Sequence, residues 1–327
     1  MARSEVTEMS ALRSRRAWLL GAGAAGLSGC AVFAEPRQSA ALAASAPPGL
    51  PPRSELRSVP FFPQTPYHCG PAALATVLVH AGIAATPEQL ADAVFLPTRE
   101  GALQVEMLAA ARRSGALAVP LPPQLAALFA EVAAGHPVVL LQNLGLAWMP
   151  RWHYAVLVGY DLAVREVVLR SGTTEREVMG FALFERTWAR GAHWAFVALP
   201  PGRLPVGATE VDAVQAAIAF ERVASPAQAQ RAYDSLVARW PGNALAGLGQ
   251  GNTRFASGDV AGAAAAFERV AMQHDNAAAW HNLGLARWRL GHADAARQAA
   301  DRALARARVA EPAWREAAEA LWRQVQP

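Results

Sequence analysis

The apolar pattern starts behind a proline-broken stretch, Val59-Pro60-Phe61-Phe62 followed by residues 63–68. Leu74, Val77, Leu78 and Ala81 then share one face of a helix beginning at Cys69, and Gly82 suits its end. Thr86-Pro87-Glu88-Gln89 has the form of a second helix start. Thr86 is the N-cap, Pro87 the first helical residue and Gln89 the returning partner of a capping box. The spacing predicts further helices over 103–113, stopped at Gly115, and over 123–134, closed by Gly135. The period then changes. Residues 137–141 are a continuous apolar run that reads as a buried strand. Residues 154–160 and 166–169 read as an antiparallel pair turning at 161–165, and 194–199 as a closing strand. Helices followed by a strand meander make an α+β layout.

From about Glu210 the chain is alanine-rich and helical with internal similarity. Ala229 and Tyr233 recur 34 residues later as Ala263 and Phe267. Trp280-His281-Asn282-Leu283-Gly284, followed by Ala296 and Ala303, resembles the tetratricopeptide repeat, although Arg287 replaces the usual aromatic. Three units fall at about 210–243, 244–276 and 277–310, with 311–325 as a solvating cap helix. Pro200-Pro201-Gly202 to Gly207 marks the boundary in front, a linker over 201–209.

A chain of 327 residues with 53% apolar content can support two such cores. The net charge of +4 comes from arginines dispersed along helices, which argues against nucleic-acid binding. No His/Cys/carboxylate group has metal-ligand spacing and no glycine-rich phosphate loop follows a strand, so neither metal nor cofactor is expected.

The N-terminus changes the picture. Arg13, Arg15 and Arg16 precede an apolar run over 17–27, too short to span a bilayer, which ends in Leu27-Ser28-Gly29-Cys30. That tetrad resembles a bacterial lipobox, which implies a signal peptide over 1–30, lipidation of Cys30 and a membrane attachment. Ser14-Arg15-Arg16 is similar to a twin-arginine export signal, so export is by that route or by Sec. Ala31 in place of an aspartate leans toward the outer membrane, facing the periplasm. Residues 31–57, rich in alanine, proline and serine, read as a flexible tether. With Cys30 lipidated, Cys69 is the remaining cysteine and has no disulfide partner.

A lone cysteine is most often a buried, inert thiol. Cys69, however, opens a helix, where the positive dipole end is expected to lower its pKa and favour the thiolate. Gln64 lies five residues upstream, where its amide can donate to an oxyanion alongside the Cys69 N–H. Five histidines fall in the first domain: His68, His80, His136, His153 and His193. His153 has the best placement for a base. It opens the strand of residues 153–160, with Ala155 and Leu157 on its side.

Gln64, Cys69-Gly70-Pro71-Ala72 and the His153 strand together resemble bacterial papain-like cysteine peptidases related to the double-glycine-leader (bacteriocin-processing) family. The resemblance covers residues 58–200 and implies an α+β peptidase fold. It implies Cys69 as nucleophile, His153 as general base and Gln64 as oxyanion donor. The family's Asp-Pro after the next strand is missing, since that place reads Leu169-Arg170-Ser171-Gly172. Ser171 fits the histidine-orienting role by position and Asp161 by charge, with Asn143 a third candidate, and a Cys-His dyad is a further alternative. The expected function is a membrane-anchored cysteine peptidase acting on peptide or protein substrates, its repeats recruiting a protein partner. Two alternatives stand beside it: a non-catalytic peptide-binding scaffold, and an amidase or acyltransferase on cell-wall peptides.

Overall fold

The computed structural model describes residues 35–63, 68–96 and 101–326, so the signal segment, Cys30 and Gln64 lie outside the described residues. The organising element is a coiled antiparallel sheet in the order β4-β9-β5-β6-β7-β8, with β1 added to β6. Its strands are β1 (Arg53–Glu55), β4 (Leu117–Pro120), β5 (Val138–Asn143), β6 (Trp152–Asp161), β7 (Glu166–Ser171), β8 (Thr174–Gly180) and β9 (Ala195–Leu199). A two-residue pair, β2 (Phe95–Leu96) and β3 (Gly101–Ala102), stands apart.

Each face of the sheet carries its own core. On one, α2 (Cys69–His80) lies against β6 with every residue from Gly70 to Leu78 buried. Leu74, Val77 and Leu78 meet Tyr154, Val156, Val158 and Phe196 there. Fully burying a leucine such as Leu74 stabilises the fold by about 1.5–3 kcal/mol. The helices α3 (Pro87–Val94) and α4 (Gln104–Arg113) complete that layer. Thr86 and Gln89 exchange the two hydrogen bonds of a capping box, 3.2 and 3.3 Å long, that start α3.

On the opposite face, α5 (Leu125–Ala133) and α6 (Phe181–Arg190) pack Phe129, Phe181, Phe184 and Trp188 against Ala155, Leu157 and Leu169. The same core continues into Ala213, Ala217 and Phe220 of α7 (Glu210–Glu221). The helical region is therefore not suspended on a free linker. Within residues 201–209, the Gly207 N–H donates to the buried Glu131 carboxylate at 2.6 Å.

The segment expected to be a tether over 31–57 contains a helix and a strand within its described residues, 35–57. Residues 37–44 form α1 (Arg37–Ala44), and β1 joins the sheet. The cause lies far along the chain. The buried Glu185 carboxylate on α6 accepts from the backbone N–H of Gln38 at 3.0 Å and of Ser39 at 2.6 Å, and from the Ser39 hydroxyl at 2.6 Å. A charge placed at the first turn satisfies donors that a helix cannot satisfy itself. Glu35 adds an ion pair to Arg165 at the β6–β7 turn.

The helical region consists of antiparallel pairs: α7 with α8 (Pro226–Arg239), α9 (Ala244–Ala256) with α10 (Val260–His274), and α11 (Ala277–Arg289) with α12 (Ala293–Val309). A last helix, α13 (Arg315–Gln324), packs on α12 through Ala318 and Leu321. Glycines let the pairs approach. A Cβ on Gly249 would stand 2.2 Å from the Tyr233 ring, and one on Gly251 2.2 Å from the Phe267 ring.

Candidate active site

Cys69 is the first residue of α2, half-buried and with no disulfide. The helix begins there because His68 leaves the helical conformation (φ −100°, ψ 21°) and because Pro71 loses no hydrogen bond in a first turn. Gly70 is required by packing. A Cβ there would sit 2.7 Å from the Ala102 Cβ and 3.2 Å from the Met107 sulfur. The helix N-terminus is thereby pressed onto β6, with the Tyr154 hydroxyl donating to the Ala102 carbonyl at 3.1 Å. The Tyr154 N–H, one residue beyond His153, is among the backbone donors that act on the Cys69 thiol.

His153 is the second residue of β6, opposite Gln142 in the β5 register. Its Nε2 stands 2.9 Å from the Ser171 Oγ at the end of β7. Alternation sends Tyr154 to the α2 face and His153, with Ala155 and Leu157, to the other. The imidazole and the thiol thus meet β6 from opposite faces at its first residues. Their line of approach runs around the open strand end and not across the sheet.

Burial pushes the Cys69 thiol above its ordinary range, and the N–H groups of Tyr154, Gly70 and Cys69 itself oppose that shift. This corrects the expectation of a depressed thiol pKa at the helix start: desolvation outweighs the aligned donors. Burial pushes His153 down, Glu177 raises it and Arg151 lowers it. Both shifts favour the uncharged thiol–imidazole pair in the resting site.

Asp161 is not a partner of His153. It is the last residue of β6, about 26 Å from His153 at strand spacing, and its Oδ1 accepts from the Ala163 and Val164 N–H groups in the turn. Asn143 shapes the loop before His153, its Oδ1 accepting from the Gly145 and Arg151 N–H groups at 2.9 Å. Of the other histidines, His80 bonds the Gly135 carbonyl at 3.0 Å, His136 bonds Glu131 at 2.7 Å and His193 stacks edge-on against Trp188. Glu177, which acts on His153 from β8, was missed because its strand is polar and exposed in sequence. Leu144, Leu146, Trp148, Met149 and Trp152 form an exposed apolar rim on the loop leading into β6.

The chain is thus an α+β domain, with a cysteine at a helix start and a histidine at a strand start, followed by an all-helical region. Residues 56–192, under half of the chain, match the model of the Peptidase_C39 like family. Among solved structures, a putative C39-like peptidase from Bacillus anthracis aligns at 21% identity over 45% of this chain and 97% of that one, with a TM-score of 0.38. A double glycine motif protease from an AMS/PCAT transporter, in complex with its leader peptide, aligns at 20% identity over 45% and 98%, with a TM-score of 0.34. The helical region resembles tetratricopeptide-type proteins and aligns with MamA at 18% identity over 36% of this chain and 76% of that one, TM-score 0.29. No curated protein matches this chain at a significant level.

Proposed function

We propose that the chain is a membrane-anchored cysteine peptidase in which Cys69 is the nucleophile and His153 the general base. The observation that carries this reading is that both side chains are directed to the open start of β6. The Tyr154 N–H acts on the Cys69 thiol, and the preceding residue, His153, has its Nε2 2.9 Å from the Ser171 Oγ. With Nε2 so held, Nδ1 takes the thiol proton as the sulfur adds to the substrate carbonyl carbon. The tetrahedral oxyanion is held by the Cys69 N–H and by the Gln64 side-chain amide. Collapse breaks the C–N bond, and the imidazolium gives its proton to the departing amine, leaving a thioester. Water, deprotonated by the same nitrogen, then releases the acid and restores the thiol.

Because burial favours the neutral pair, the charges arise during the reaction instead of being stored beforehand. Lipidation at Cys30 would attach the enzyme to the periplasmic side of a membrane, with the outer membrane favoured by Ala31. The helical pairs would hold a protein partner or substrate.

Replacing Cys69 by Ala tests the reading. Hydrolysis of a peptide library and labelling by an electrophilic peptide probe should both vanish in a chain that keeps its helical and sheet signals. Labelling that persists in Cys69→Ala overturns the assignment. A second reading, a non-catalytic peptide-binding scaffold, is favoured by the upward-shifted thiol and by a serine standing where a carboxylate is expected. It requires peptide binding that is unchanged in Cys69→Ala and no turnover in the unsubstituted chain.

A further inference from the structure

β8 does not lie flat beside β7. Its register shifts between Leu169 and Ser171, and β7 shifts against β6 between Leu157 and Gly159. Irregularities of this kind increase twist and bend a strand. Their effect is visible in a contact that a flat sheet forbids. The Met179 sulfur on β8 comes within 3.8 Å of the Gln142 Nε2 on β5, although β6 and β7 lie between those strands. Gln142 is the register partner of His153, and its amide also donates to the Thr187 hydroxyl of α6 at 2.6 Å. β8 therefore curls over the face that carries His153, Ala155 and Leu157. Glu177 precedes Met179 by two residues and shares its side of the strand, opposite Leu169 of the same core.

We propose that Glu177 is a positioning residue for His153, delivering from β8 the carboxylate that the end of β7 lacks. The inference rests on His153 being the base. Ser171 holds Nε2 but is neutral, so it fixes the ring without stabilising its charge. Among the described residues, charged and titratable groups come toward the imidazole from several elements. Arg151 stands just before β6, the Cys69 thiol comes from α2, and Glu177 comes from β8. α6 carries Arg186 and Arg190, the latter donating to the Asn143 carbonyl at 3.0 Å. Burial and Arg151 disfavour the imidazolium, and Glu177 favours it. When the thiol proton arrives on His153, Glu177 is the group that offsets desolvation of the new cation.

The test is an NMR titration of the His153 ring in the full chain, with the resonance assigned by its loss in His153→Gln. In Glu177→Gln the midpoint falls below that of the unsubstituted chain. In Glu177→Asp, which keeps the charge but draws it back, it falls less. In Glu175→Gln on the same strand it does not move. An unchanged or higher midpoint in folded Glu177→Gln overturns the proposal. If that variant does not fold, an unchanged midpoint in Glu177→Asp overturns it instead. The titration needs no substrate. A chain without peptidase activity whose midpoint falls in Glu177→Gln sinks the peptidase reading and supports this placement. An active chain whose midpoint ignores Glu177 sinks the placement alone.

Discussion

The Nε2 of His153 and the Oγ of Ser171 stand 2.9 Å apart across two adjacent strands, β6 and β7. That contact converts a partly buried imidazole into an oriented one. A hydroxyl can serve either tautomer, since it both donates and accepts, whereas a carboxylate would impose one. Ser171 thus supplies orientation without itself adding charge to the ring.

Ser171→Ala removes the partner and leaves the fold intact. The loss of one hydrogen bond worth about 0.5–1.5 kcal/mol lowers kcat/KM by about 2- to 10-fold. Ser171→Asp supplies a charged orienter and moves the acid limb of the pH profile upward. Steady-state kinetics across pH checks both, and a Ser171→Ala enzyme with unchanged kcat/KM contradicts the role.

The pH dependence of thiol reactivity follows from the opposed shifts of Cys69 and His153. Because burial raises the one and lowers the other, alkylation of Cys69 by iodoacetamide rises through the alkaline range and has no acidic plateau of thiolate–imidazolium pairs. Stability has a matching window. His153 binds its proton more readily when unfolded, so its contribution declines as pH falls below about 6.5. Cys69 loses its proton more readily when unfolded, so its contribution declines as pH rises past about 8.5. Alkylation rates and denaturant midpoints measured from acid to alkaline pH check the two together.

Glu185→Ala leaves the first-turn donors of α1 facing a vacated pocket. Hydrogen bonds to a charged group contribute about 1.5–3 kcal/mol, and the whole carboxylate serves Gln38 and Ser39. The expected result is early exchange of the α1 amides and a drop in unfolding free energy of about that size. Hydrogen exchange with mass detection separates this from a change elsewhere in the fold.

Gly251→Ala is a case where propensity and packing disagree. Alanine is favoured over glycine in a helix interior by about 1 kcal/mol. Here its methyl would meet the Phe267 ring at 2.2 Å, and overpacking costs about 1–3 kcal/mol. Packing wins, so the variant melts earlier, and Gly249→Ala does the same against Tyr233. Thermal unfolding followed by circular dichroism decides the sign.

Legibility in the sequence followed the range of the interaction responsible. The Cys69 helix, the Thr86 capping box and the strands around His153 were readable because local period and turn residues determine them. The α1 helix was not, since an alanine-rich segment becomes helical there only when Glu185 caps it from 146 residues away. β8 was missed for a different reason. It is an edge strand whose Thr174, Glu175 and Arg176 face solvent, so it has no apolar alternation to detect. β4 is four residues ending in a proline, too short to register as a period. Ser171 and Asp161 were separable only once the register placed them at opposite ends of β6 and β7.

The ion pair between Glu35 and Arg165 has an orientational consequence. It holds the start of the folded body at the β6–β7 turn, whereas His153 lies at the other end of β6, about 26 Å away at strand spacing. From Cys30 to Glu35 the chain reaches about 17 Å when fully extended. An anchor at Cys30 would accordingly hold the turn close to the lipid headgroups and hold the His153 end of β6 distal, toward the aqueous compartment. Substrates would arrive from that compartment and not from within the bilayer.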